Sequence, residues 1–148
     1  GKRIGIAAQE VAAVLMHDLT TDGGYFVSGH LTPEIFTDDC RFKDPTNDVR
    51  GLNRYLKALT LLFDPAYSSV EDVQLVYVRE DSIRIDWTLG GYLKFPWHPR
   101  VERFTGFCIY HLDPATGLVV EQEQEWDKGA ATALQESFTP TFAPLTRI

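Results

Sequence analysis

The chain has 148 residues, 44% hydrophobic and 24% charged, the composition of one ordinary folded domain, which excludes disorder of the whole chain. With 21 acidic against 14 basic residues and a net charge of −7, it repels phosphate backbones and anionic lipid surfaces, so neither nucleic acid nor an anionic membrane surface is an expected partner. No apolar run approaches the roughly 20 residues that cross a bilayer, so no membrane span is expected.

In chain order, Ala8, Val11, Ala12, Leu15, Met16 and Leu19 recur at helical spacing and predict an amphipathic helix. The turn residues at 20–24 stop it. Thr32-Pro33-Glu34 combines an N-cap residue, a first-turn proline and an acid near the positive end of the helix dipole, and predicts a short helix to about Phe36. A short strand over 40–43 follows, cut by Asp44-Pro45. Gly51 precedes a second long helix whose stripe is Leu52, Tyr55, Leu56, Leu59, Leu62 and Phe63, ended by Asp64-Pro65.

From there the period changes to two. Strands are predicted over 70–80, 83–89, 101–112 and 118–127. Gly90-Gly91 is expected to interrupt the second of these, the Pro-bracketed loop at 95–99 to be stiff, and 113–117 to form a hairpin turn. A last short helix is expected over 129–138, so that residues 1–138 form a single domain and 139–148 an extended surface tail. Helices followed by long antiparallel strands, each with one apolar face, give an α+β cone in which helices cover one curved sheet. Such a cone encloses a natural ligand pocket.

Candidate site residues follow from the same alternation. On the last strand Leu118, Val120, Gln122, Gln124 and Trp126 share one face, while Glu121, Glu123, Glu125 and Asp127 share the other. A row of four acids stays out of a core, so Gln122 and Gln124 must point inward and need partners, either each other and the backbone or a ligand. Trp87 faces inward from a neighbouring strand, and Trp97 sits in the stiff loop at the expected cone mouth. With Tyr55 and Trp126, these give Gln122, Gln124, Trp87, Tyr55, Trp97 and Trp126 as ligand-binding candidates. Cys40 and Cys108 lie in apolar strand contexts and are expected to be free buried thiols. The four histidines His17, His30, His98 and His111 lack metal-ligand spacing, so neither metal nor cofactor is expected. A phosphate-binding glycine loop and a hydrolase nucleophile elbow are likewise not found.

The order of elements, with Phe42-Lys43-Asp44-Pro45, Gly51-Leu52 and Tyr55, Pro96-Trp97, Phe104-Thr105-Gly106, Tyr110, Leu112-Asp113, Gly117 and Trp126-Asp127, resembles the NTF2-like superfamily of α+β cones. It resembles most closely the DUF2358 family of plants, algae and cyanobacteria, over about residues 34–128. The resemblance implies a photosynthetic source and a chloroplast or cyanobacterial cytoplasm. Some plant members of that family also carry a SOUL-type haem-binding domain, which implies tetrapyrrole chemistry nearby. In ketosteroid isomerases of the superfamily the general base occupies an equivalent x-Asp-Pro segment, so the resemblance offers Asp44 as a catalytic carboxylate. The tyrosine of that isomerase site has no counterpart on the first helix, and Cys108 stands roughly where its protonated Asp would be.

Three readings follow. The first is a domain binding an apolar small molecule such as a pigment, isoprenoid or tetrapyrrole. The second is an accessory subunit or homodimer pairing through the outer sheet face. The third is a proton-transfer isomerase, cyclase or dehydratase using Asp44. The chain opens on Gly1 rather than Met, and is expected to be a processed or trimmed product.

Overall fold

The computed structural model describes residues 1–143 and 145–148. Helix α1 (Ala8–Thr20) buries Val11, Ala12, Leu15 and Leu19, the stripe its spacing predicts. A four-residue helix, α2 (Tyr25–Ser28), follows directly and buries Tyr25, Phe26 and Val27. No periodicity announces so short a helix. Gly24 makes it possible, with a φ of +91° and no room for a Cβ, which would lie 2.5 Å from the Val70 side chain. Pro33–Ile35 forms a 3₁₀ turn to which the Thr32 side chain contributes no cap.

Six strands make one sheet, β1 (Phe36–Lys43), β2 (Asp48–Arg50), β3 (Ser69–Val78), β4 (Ser82–Tyr92), β5 (Arg100–Leu112) and β6 (Val119–Trp126), in the order β2-β1-β6-β5-β4-β3. Helix α3 (Leu52–Leu62) lies between β2 and β3, and α4 (Ala130–Ser137) follows β6. The α+β cone is thus as expected. The sheet is antiparallel except where β1 lies parallel to β6. That pair joins the two distant ends of the fold, and four residues of β1 between Phe36 and Arg41 oppose one residue of β6.

Three further departures from the sequence reading have physical causes. First, β1 starts at Phe36 and pairs with β2, because Arg41 on one strand holds Asp48 on the other at 2.6 and 2.9 Å. Second, β4 runs straight through Gly90-Gly91. A Cβ on Gly91 would stand 2.0 Å from the Oγ of buried Ser68, so the glycine makes room for a neighbouring turn rather than breaking the strand. Third, the face of β6 changes phase at its start. Leu112 opposes Val119 and His111 opposes Glu121, so Val120 is the extra residue of a bulge. Val119 is therefore fully buried, and Val120 is only half-buried.

Helices α1, α2 and α3 cover the inner face, whose core includes Ile83, Ile85, Trp87, Leu89, Phe104, Cys108 and Tyr110. Helix α4 docks on β5 through Glu136, which accepts from the Glu102 backbone N–H at 3.0 Å and pairs with Lys128. The tail is tied at Thr141, whose N–H bonds the Trp97 carbonyl at 2.9 Å, and at Ile148, whose carbonyl accepts from Arg103 at 2.9 Å. Gly91→Ala should lower stability by about 1–3 kcal/mol through overpacking against Ser68, measured as a lower urea midpoint with an unchanged slope.

Candidate functional site

Four side chains from four elements meet in the interior. Tyr25 of α2 donates its hydroxyl to Gln122 Oε1 of β6 at 2.5 Å, and its oxygen lies 2.6 Å from the hydroxyl of Tyr110 on β5. Gln122 Nε2 donates to the Tyr55 hydroxyl of α3 at 3.0 Å. A phenol has one proton to give. Tyr25 gives its proton to an amide oxygen that can only accept, so Tyr110 must donate to Tyr25. Gln122 is 2% exposed and the Tyr25 and Tyr110 rings are fully buried.

Beside this chain lies a second one. The Trp126 indole donates to Gln124 Oε1 at 2.6 Å, and Gln124 Nε2 approaches Cys108 Sγ at 3.7 Å. The rings of Phe26, Trp87, Phe104 and Trp126 contact edge to face in sequence, with centroids 5.0, 5.9 and 5.6 Å apart. Phe42 stacks on Tyr55 with centroids 3.7 Å apart and planes 6° from parallel. Burial is graded. Trp87, Cys108, Tyr110, Tyr25 and Gln122 are buried, and Tyr55, Gln124, Trp126 and Asp44 are half-buried.

Two donors in this set lack a strong acceptor among the described residues. Among the described residues, Trp87 Nε1 is the buried side-chain polar atom without a hydrogen bond of ordinary geometry, and its neighbour is the weakly accepting Cys108 sulfur. Tyr55 receives from Gln122, and its own proton goes to none of the described side chains or backbone groups.

The buried ionisable groups of this interior are held neutral. Burial pushes the Cys108 thiol up to about 12, against the opposing pull of Trp87, Gln124 and Tyr110. Burial, then the nearby Asp39 carboxylate, pushes Cys40 to about 12 as well. Both cysteines are free and buried. The Tyr25, Tyr110 and Tyr55 hydroxyls are raised too, first by burial. A thiolate nucleophile is therefore not what this interior offers. It offers neutral O–H and N–H donors.

Asp44 lies within electrostatic reach of both Tyr55 and Cys108 and adds to the rise of each. Its Oδ1 accepts from the backbone N–H groups of Thr46 and Asn47, both at 2.8 Å, and from their side chains at 3.1 and 3.4 Å. That oxygen anchors its own turn. Of the residues selected from sequence, Asp44, Tyr55, Trp87, Gln122, Gln124 and Trp126 gather around Cys108, and Trp97 does not. Trp97 stacks on Phe95 at 5.0 Å and donates to the Ser137 carbonyl at 2.7 Å, so it fastens α4 rather than lining a mouth. Sequence reasoning missed Tyr25 and Tyr110. Tyr110 was reachable, since it alternates in phase with Cys108 and Leu112, whereas Tyr25 depends on the unannounced α2.

Two surface clefts are present. One, of about 420 Å³, opens on the outer sheet face around Arg84, Asp86, Thr88 and Phe107 and reaches Trp87 and Trp126 of this cluster beside Gly106. The other, of about 580 Å³, lies between the start of β5 and α4 with the following residues, including Arg100, Gln135 and Phe142.

The fold is an NTF2-like α+β cone. The model of the family described as "Uncharacterized conserved protein (DUF2358)" matches residues 9–121, and the chain belongs to that family. Among solved structures, it is similar to a protein described as a SnoaL-like polyketide cyclase from Jannaschia sp. CCS1 at 18% identity and a TM-score of 0.63, covering 97% of this chain and 99% of that one. It is also similar to a phenazine biosynthesis-related protein from Pseudomonas aeruginosa, at 13% identity and a TM-score of 0.65, covering 95% and 92%. An NTF2-like protein of unknown function from Cytophaga hutchinsonii ATCC 33406 aligns at 11% identity and a TM-score of 0.57, covering 82% and 91%. At these identities the likeness is one of fold. No curated protein matches the sequence.

Tyr25→Phe should destabilise the protein more than Tyr110→Phe. The first leaves both the Gln122 oxygen and the Tyr110 proton without a partner, at about 1–3 kcal/mol for a stranded buried group, and the second removes one donor only. Urea unfolding of the two variants checks the order. The neutral thiols also set an alkaline limit. Folded Cys40 and Cys108 keep their protons to about pH 12, while unfolded thiols lose theirs near 9.0. The unfolded state sheds protons first, so their contribution is intact below pH 9 and lost as the pH rises through 12. A fall in the thermal midpoint across that range, with Tyr25 and Tyr110 acting in the same direction at its upper end, is the expected result.

Proposed function

We propose that this protein is a binding domain for a small apolar ligand that carries a neutral oxygen acceptor. The observation that supports this is the half-buried Tyr55 O–H, which has no acceptor among the described residues, together with the Trp87 N–H, whose neighbour is the weakly accepting Cys108 sulfur, both among aromatic rings. A buried donor without a partner costs about 1–3 kcal/mol, which a carbonyl, ether or hydroxyl oxygen of a ligand recovers. Neutral phenols and an indole polarise such an oxygen without needing a charged partner. The aromatic walls suit a flat or polyene skeleton. A pigment, isoprenoid or tetrapyrrole of a photosynthetic organism, and a chloroplast or cyanobacterial cytoplasm, are the proposed setting. This setting rests on the family's occurrence in plants, algae and cyanobacteria.

A second reading, an accessory subunit or homodimer contacting its partner through the outer sheet face, draws support from the cleft on that face, where Arg84, Asp86 and Thr88 surround the Phe107 ring. Catalysis through Asp44 has less support, because four hydrogen bonds from its own turn occupy Oδ1.

Trp fluorescence of a Trp97→Phe protein isolates the two inner indoles. Titration with β-ionone, phytol and protoporphyrin IX should give saturable quenching by at least one probe. Tyr55→Phe should weaken it by about five- to twentyfold, the loss of one hydrogen bond. Equal affinity in the Tyr55 variant, or no quenching by any probe, contradicts the reading.

A further inference from the structure

We propose that His111, Glu121 and Glu123 form a site for a single divalent transition-metal ion of the zinc or cobalt type on the outer face of the sheet. One ligand atom from each lies within 4.8 Å of the others. His111 Nε2 is 3.0 Å from Glu123 Oε2 and 3.8 Å from Glu121 Oε2. With metal–ligand bonds of about 2.0–2.2 Å, neighbouring ligand atoms of a tetrahedral site sit about 3.3–3.6 Å apart. The two distances from His111 bracket that spacing, and the carboxylate oxygens lie within 4.8 Å of each other, so side-chain rotation without backbone movement can close the set on one ion.

The placement comes from backbone that cannot drift. His111 and Glu121 are direct cross-strand partners on β5 and β6, and Glu123 is two residues further along the same face. The bulge at Val120 sets this register, since without the extra residue Glu121 would take the other face. Arg41 holds the second oxygen of Glu121, Oε1, at 3.4 Å, which leaves Oε2 turned towards His111. Arg41 is itself engaged by Asp48, so its charge is shared. The three side chains are 27–39% exposed, open enough for an ion to enter and for water to complete its coordination.

The donor set names the ion class. One imidazole nitrogen with two carboxylates favours zinc, cobalt or nickel, whereas magnesium and calcium prefer oxygen alone. The residue spacing hid this, because the histidine and the acids sit on different strands and meet only through the ladder.

Titration of the intact protein with cobalt(II) tests the site. One equivalent should bind with a visible d–d band, and zinc(II) should displace it. His111→Ala should abolish the band. Glu123→Gln should weaken binding at least tenfold, and His98→Ala should leave it unchanged, with circular dichroism confirming the fold of each. No band at millimolar cobalt(II), or equal binding by the wild type, His111→Ala and Glu123→Gln proteins, overturns the site.

Discussion

A primary amide sealed inside a protein must spend its hydrogen bonds there. Gln122 is that amide, and much of this fold is arranged to receive it. Its oxygen takes the Tyr25 proton and its nitrogen serves Tyr55, so the central strand β6 is coupled to α2 and α3, and through Tyr25 to Tyr110 on β5. In a low-dielectric interior such a chain gains from being complete and loses heavily from one missing member. The short helix α2 is the costly part of the arrangement, since four residues cannot hold a helix by propensity. It is fixed by Gly24 against Val70 and by the burial of Tyr25 and Phe26.

Long elements were legible because periodicity reports burial. The stripe from Val11 to Leu19 and the alternation of Ile83, Ile85, Trp87 and Leu89 each became the buried face that the pattern implied. What escaped was set by contacts distant in sequence. The two glycines of β4 look like a break until Ser68 is seen packed against one of them. The early part of β1 lacks alternation because it bulges against β6. The inward direction of Gln122 and Gln124 was readable from the four acids opposite, even though the bulge at Val120 shifts the residues before them. Trp97 was misplaced for a related reason. A Pro-bracketed tryptophan signals rigidity, but what it is rigid against, here the Ser137 carbonyl of α4, is a tertiary fact.

The two faces of the sheet carry different chemistry. Inside, burial keeps thiols and phenols neutral, and the polar groups there are O–H, S–H and N–H donors and an amide. Outside, charges pair across strands, Arg84 lies over the Phe107 ring at 3.9 Å, and His111 faces two carboxylates. The sheet carries both because alternate residues of the same strands face opposite sides. The outer arrangement depends on the same bulge that separates Val119 from Gln122.

The closed interior chain is tested most directly by proton NMR of the tyrosine hydroxyls and the Gln122 side-chain amide. The account predicts slowly exchanging hydroxyl protons assigned to Tyr25 and Tyr110, with contacts from the Tyr25 hydroxyl to Gln122 and from the Gln122 amide to Tyr55. Rapid exchange of those hydroxyls and of the Gln122 amide with solvent would contradict it.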